Sequence, residues 1–573
     1  MFIPLLIAAT LAFPLAMPLD EVKPGQKGQC LTVFEGTQVE PFDFVVKGVM
    51  RDYLGPGRHL TMVKLIGDKP EFTGVVAGMS GSPCSIDGKL LGALGYAFAA
   101  FAKEPIAGIT PINDMLDVMK LPGEKRPWKI AAEGNWDTFT QGMAAVAPSV
   151  NDGMAPISAP MSIAGMPPYL RDHYSPWFRS MGFEPAGGGA GGGQTQQAPG
   201  LEPGGTITAI LVRGDVSIAA TGTVTTVRGK EITAFGHPFM GGGAVSIPMA
   251  GGTILNTMAT QRRSFKMSAP GPVVGELVQD RLPAIGGILG EGPVMLPVQG
   301  TVKTPAGEDA FKFEVARDPG LTPRLVAVGL SSVIGSRLDV GHRGMLRMKA
   351  SVQGDGFEPI EISRVYGGEK NEMMPVYAAV DVARIVASLW RTPFGPAPGM
   401  RVEMNAEWIA DPVEEIIETL TLDRSIAKPG DEVTASIRML RVGGKSHTET
   451  FKFKVPRAWA GQRIDLVACD ATGADQVAGM VQGGPMPRSV KSLARWIARL
   501  RNAGNLYFMA LRKGVGLKSE VDDHAFLPGT AAVTLMGRPS QELRYAGVDL
   551  EQSKKRPGVI EGITTVSLSV TPY

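Results

Sequence analysis

Six residues, Gly78-Met79-Ser80-Gly81-Ser82-Pro83, stand between the apolar runs TGVVA and CSIDGKLLGAL and put a serine in a turn that glycines make tight. A serine hydroxyl attacks a carbonyl only with a base within hydrogen-bond reach and donors for the developing oxyanion. Gly78 and Gly81 allow backbone N–H groups to converge, and in a trypsin-like arrangement the donors are those of Gly78 and Ser80. The α/β-hydrolase elbow needs glycine two residues after the serine, but Ser82 stands there. That departure, with the lack of alternating strand-helix units, disfavours an esterase of that type. Taken alone, the segment reads equally well as a β-hairpin with serines in its turn.

A base must come from elsewhere. The chain has six histidines, at 59, 173, 237, 342, 447 and 524. His237, between Gly236 and Pro238 at the end of TVTTVRGKEITAF, is the candidate, because a ring at a strand end can face a cleft. The structural alternative is a loop histidine packed under Phe235 and Phe239. His59, in GPGRHLTMV, is the rival within the serine-bearing half, and the other four sit in segments without a motif. An orienting acid could be Asp68 in LIGDKPEFTG or Asp215 in LVRGDVS, each of which also reads as a solvated turn residue.

Such groups need a frame. A chain of 573 residues exceeds one core, so three or four domains are expected. With 57 Lys+Arg against 55 Asp+Glu, no basic field marks nucleic acid or an anionic membrane as partner. Glycine (73) and proline (45) among short Val/Ile/Thr/Phe runs point to a mainly β, turn-rich architecture. The reading divides the chain into a serine-bearing half (18–130), a Pro/Met/Gly-rich insert and linker (131–204), and a histidine-bearing β-rich half (205–400). A β-sandwich-like module (401–457) and a small mixed α/β domain (458–573) follow. GGGAGGGQTQQAPG, Gly187–Gly200, is a linker by composition. VTASIRML and FKFKV alternate as strands do, and SVKSLARWIARLRN carries apolar residues at helical spacing.

The N-terminus, MFIPLLIAATLAFPLAMPLDEV, is uncharged before Asp20 and reads as a secretory signal over 1–17, with Ala16 near the cleavage point but no Lys or Arg ahead of the apolar run. The expected location is secreted or periplasmic, in a bacterium; an uncleaved anchor or a buried strand is the alternative. No later segment is apolar for long enough to cross a bilayer. Cys30, Cys84 and Cys469 form no disulfide framework and no metal-ligand spacing; a Cys30–Cys84 pair and buried free thiols both remain open. No Walker loop, dinucleotide fingerprint, His-Glu-x-x-His or EF-hand loop occurs, so no metal or organic cofactor is expected.

TGVVAGMSGSP, with the DGKLLGAL that follows, resembles the nucleophile segment of the SpoIVB-type serine peptidases, a trypsin-like family. PIAGITPINDML, beginning at Pro105, resembles the stretch closing that family's catalytic domain. ATGTVTTVRGKEITAFGHPF, ending at Phe239, resembles its histidine segment. The resemblance spans Val22–Leu121 and Gly205–Met240. It implies a trypsin-like double β-barrel made from two chain halves and an endopeptidase acting on proteins or peptides, including limited or self-directed cleavage. Ser80 would be the nucleophile, His237 the general base, and Gly78 and Ser80 N–H the oxyanion donors. Asp68 would orient the base, since Asp68-Lys69 resembles the family's Asp-Lys pair. Two departures stand out: the histidine segment here follows the serine segment instead of preceding it, and no PDZ-like module is visible. The alternative is a peptidase-like scaffold without turnover that binds cell-envelope proteins through its C-terminal domains.

Overall fold

The computed structural model describes residues 15–98, 103–123, 153–189, 200–318, 320–338, 344–367, 371–390, 392, 395, 397–482, 489–518, 523–524, 526–528, 530–531, 534 and 542–572. Residues 1–14 of the expected signal and 190–199 of the expected linker lie outside them. The chain forms two compact units: Met1–Pro127 with Ala131–Met295 and Phe313–Leu325, and Trp128–Ile130 with Leu296–Lys312 and Val326–Tyr573.

The first unit opens with β1 (Lys27–Val33), β2 (Val39–Gly55), β3 (Arg58–Ile66), β4 (Pro83–Ile86), β5 (Lys89–Ala97) and β6 (Ile106–Pro111). Their hydrogen-bonding order β4-β1-β2-β3-β6-β5 returns to β4, so six antiparallel strands close into a barrel without a free edge. Alternation fills it: Phe42, Phe44 and Val46 of β2 and Val63 and Leu65 of β3 share one buried cluster with Cys30, Cys84 and Leu94. Cys30 and Cys84, directly opposite in register, form a disulfide, which resolves the cysteine question the sequence leaves open. Asp87 and Gly88, both at positive φ, make the tight turn from β4 to β5.

A second ring follows: β10 (Thr206–Gly214), β11 (Ser217–Arg228), β12 (Glu231–Ala234), β13 (Gly243–Met258), β14 (Phe265–Arg281) and β15 (Ala284–Leu289). The order β10-β13-β14-β15-β12-β11 returns to β10, again antiparallel throughout. The expected double β-barrel from two chain halves is therefore present. Between the rings, residues 153–189 of the stretch read as insert and linker fold into β7 (Ala155–Pro156), β8 (Ala159–Ala164), a helix Pro168–Ser180 and β9 (Phe183–Gly187). That helix buries Tyr174, Trp177 and Phe178.

In the second unit, strands Phe357–Tyr366, Met345–Gly354, Arg401–Ile409 and Leu296–Thr304 lie side by side in one sheet. Two further sheets enclose a common core. One holds Glu432–Arg441 and Ser446–Lys454, whose Val433, Ala435, Ile437, Met439, Phe451 and Phe453 all turn inward; the other supplies Leu466, Phe508 and Leu568. The helix Val490–Ile497 begins with a capping box between Ser489 and Ser492.

Candidate active site

Ser80 lies in the loop leading into β4, and His237 in the loop from β12 to β13. Though far apart in sequence from the histidine, the serine loop is bonded to β11, the strand that pairs with β12 leading to His237. Thr223 N–H of β11 donates to Ser80 O at 2.8 Å, Thr223 Oγ1 donates to Gly78 O at 2.9 Å, and Thr225 Oγ1 donates to Gly81 O at 2.7 Å. Gly81 is at φ +98°, and a Cβ there would stand 1.9 Å from Thr223 O and 2.6 Å from Phe235 N. Only glycine lets the serine turn settle this closely on the strands that carry the histidine.

The histidine turn is braced on both sides. Thr110 Oγ1 of β6 donates to Gly236 O at 2.5 Å, and Phe235, a bulky residue, is held at φ +70°. Left-handed backbone at a side chain of this size costs about 1–3 kcal/mol and persists only where its surroundings fix it. Downstream, the buried Asp280 carboxylate accepts the N–H groups of Phe239 (2.7 Å), Met240 (2.8 Å) and Gly242 (3.0 Å). Burial raises the Asp280 pKa, opposed by these backbone donors.

Within this frame the reactive atoms are unpaired. Ser80 is fully buried and His237 nearly so, yet Ser80 Oγ and His237 Nε2 have no hydrogen-bond partner. They are not bonded to each other. His237 Nδ1 lies 2.7 Å from Pro238 O, which selects the tautomer protonated at Nδ1 and leaves the Nε2 lone pair as acceptor. Burial pushes the ring's pKa down to about 4, against the carbonyls of Pro238 and Ile157, which favour its charged form. The imidazole is thus neutral at physiological pH, as a general base must be. The ring packs edge-on to Phe235 and Tyr96.

The loop's N–H groups divide in the same way. Those of Met79, Gly81 and Ser82 donate to Val76 O, Leu94 O and Met79 O. Gly78 and Ser80, the two expected oxyanion donors, have buried N–H groups with no partner among the described residues. Buried, unpaired backbone donors are rare, and a site awaiting an anion is one reason for them.

Asp68 begins a short helix, Asp68–Thr73, with its carboxylate exposed and unbonded among the described residues. The structure does not bring it to His237, whose Nδ1 is occupied by Pro238 O. Asp215 is also exposed, in the turn between β10 and β11, and His59 bonds the Asp52 N–H through Nδ1. Two functional candidates escape a sequence reading. One is Asp280, which holds the histidine turn. The other is Lys266 of β14, whose Nζ is buried and donates to Thr32 Oγ1 at 2.7 Å. Its Cδ would be 3.1 Å from a Cβ on Gly78, so its stem lies against the serine turn. Burial pushes the amine's pKa down to about 7. Neither residue sits in a motif; each is recognisable only once the barrel has buried it.

Among the described residues, no group of acidic, cysteine and histidine side chains could hold a metal ion. Residues 9–116 match the family model described as SpoIVB peptidase S55. The match takes in Ser80 and the whole first barrel, and ends before His237. No curated protein and no solved structure matches the chain.

Proposed function

We propose, from the match of residues 9–116 to the SpoIVB peptidase model, that the chain is a serine endopeptidase whose site joins the first barrel to the second. Ser80 Oγ attacks the peptide carbonyl carbon while His237 Nε2 takes the hydroxyl proton. The tetrahedral oxyanion is received by the N–H groups of Gly78 and Ser80. Collapse breaks the C–N bond, with the proton passing from His237 to the leaving amine, and water repeats the sequence to release the acyl group. Pro238 O, in place of a carboxylate, fixes the ring's tautomer. The observation carrying this reading is that Ser80 Oγ and His237 Nε2 are both buried and unpaired, with the serine turn seated against β11 and the backbone of Phe235.

A second reading follows from Lys266. A buried amine lying along the serine turn could serve as the base instead, a pairing known for serine nucleophiles. Reaction with a fluorophosphonate, located on Ser80 by peptide mapping, separates the two. Loss of labelling in Ser80→Ala and His237→Ala but not Lys266→Met supports the histidine mechanism. A chain in which no folded form labels supports the non-catalytic scaffold.

Export is part of the proposal. It rests on the apolar N-terminus and on the Cys30–Cys84 disulfide, a bond that persists in oxidising compartments. No helix among the described residues is long and apolar enough to cross a membrane. Leu15 O accepts from Leu90 N, Met17 N donates to Leu90 O, and Met17 is buried. A signal cut that preserves this pairing falls before Leu15, earlier than the boundary at 17 expected from sequence; N-terminal sequencing of the secreted chain tests it.

A further inference from the structure

The last residues of β5 are paired on both edges. On one side Tyr96 and Ala97 face Gly108 and Ala107 of β6, within the barrel. On the other they face Pro156 and Ala155 in antiparallel register, and Ile157 N–H donates to Gly95 O at 2.9 Å. An extended peptide added to a strand edge in this way is a standard mode of peptide capture, with main-chain bonds giving affinity and side-chain pockets giving selectivity.

The segment then runs straight across the candidate site. The Ile157 side chain is 4% exposed and belongs to the first barrel's core cluster with Val76, Met79 and Leu94. Its carbonyl faces the His237 ring. Three residues on, Pro160 Cγ lies 3.0 Å from where a Cβ on Gly78 would be. Both ends are pinned: Tyr53 Oη accepts from Met154 N at 2.8 Å, and Arg263 Nη1 donates to Ser158 Oγ. Beside it lies a cleft of about 250 Å³ walled in part by Ala155–Ser158, into which neither Ser80 nor His237 opens.

From this path we infer that Met154–Ser158 is a built-in occupant of the peptide-binding edge, which keeps peptides from Ser80 and shows the substrate register. The substrate is an extended segment pairing with Gly95–Ala97 and placing a branched apolar side chain where Ile157 sits. This deepens the peptidase reading and rests on it for the word substrate; occupancy of the edge stands independently.

Two variants loosen the strap to different degrees. Ile157→Gly empties the apolar pocket, and Arg263→Ala releases the exposed end should the first variant fold poorly. Fluorophosphonate labelling of Ser80 should be at least about tenfold faster in Ile157→Gly than in wild type, the factor expected from losing most of one buried aliphatic side chain, and moderately faster in Arg263→Ala. A synthetic peptide of residues 153–160, GMAPISAP, with a fluorophore at its N-terminus, should bind Ile157→Gly in anisotropy titrations and not wild type. Labelling at the wild-type rate in both folded variants, without peptide binding, overturns the inference. If no form labels but the peptide still binds Ile157→Gly alone, the strap stands and the hydrolase reading fails.

Discussion

Replacing Gly81 by alanine tests whether close docking of the serine turn on the second barrel makes the site. The added methyl would lie 1.9 Å from Thr223 O, where ordinary contact begins near 3.4 Å, so the serine turn and β11 must part by about 1.5 Å. Alanine at φ +98° costs about 1–2 kcal/mol in backbone strain. Parting the serine turn from β11 also weakens the bonds of Thr223 N–H to Ser80 O and of Thr225 Oγ1 to Gly81 O, each about 1 kcal/mol. The expected loss is roughly 3–4 kcal/mol, and a displacement of this size lowers reactivity about 100-fold. Gly88→Ala is the control. Its φ is +76°, but nothing lies within 4 Å of the added Cβ, so it carries only the strain of about 1–2 kcal/mol. The assay is the rate of fluorophosphonate labelling of Ser80, with thermal midpoints for both proteins. Gly81→Ala labelling within threefold of Gly88→Ala would refute the claim that docking aligns the site.

Three further outcomes follow. The Lys266 amine has a folded pKa of about 7 against 10.5 unfolded, so between these values the unfolded chain binds the extra proton and stability rises with pH, by about 5 kcal/mol across the window. Lys266→Met should be more stable than wild type at pH 7 and lose that slope in denaturant titrations; an unchanged slope contradicts the buried amine. His237, with a folded pKa of about 4 against 6.5, makes wild type lose about 3 kcal/mol as pH falls from 6.5 to 4, while Ser80 labelling keeps its neutral-pH rate down to about pH 5; a labelling midpoint near 6.5 would contradict the buried ring. Asp280→Ala removes the acceptor for three N–H groups and should slow labelling more than tenfold, with Asp280→Asn, which keeps one acceptor oxygen, between it and wild type; labelling at the wild-type rate in Asp280→Ala would show the turn does not need its anchor.

What was legible in the sequence is what local chemistry dictates. Glycines around Ser80 announced a special turn, and TVTTVRGKEITAF a hairpin, here β11 and β12 turning at Gly229 and Lys230. Alternation in VTASIRML and FKFKV placed the inward side chains correctly. Long-range burial was not legible. Lys266 and Asp280 carry no local signal, since nothing beside them in sequence says that a barrel closes over them. The strap has no sequence signature, because Met-Ala-Pro-Ile-Ser carries no periodicity and lies in a proline-rich stretch; its strand character comes from the edge of β5. Neither Asp68 nor Asp215 holds Nδ1; its hydrogen bond comes from the carbonyl of the adjacent proline, a role open to any residue.

The central claim is that Ser80 and His237 act on each other, and the pH dependence of Ser80 labelling in wild type beside His237→Gln measures it most directly. The account predicts adduct on Ser80 alone in wild type, with a low-pH limb set by the buried ring, and a loss of at least about 100-fold in His237→Gln. Equal rates in the two proteins, or adduct on another serine, would contradict it.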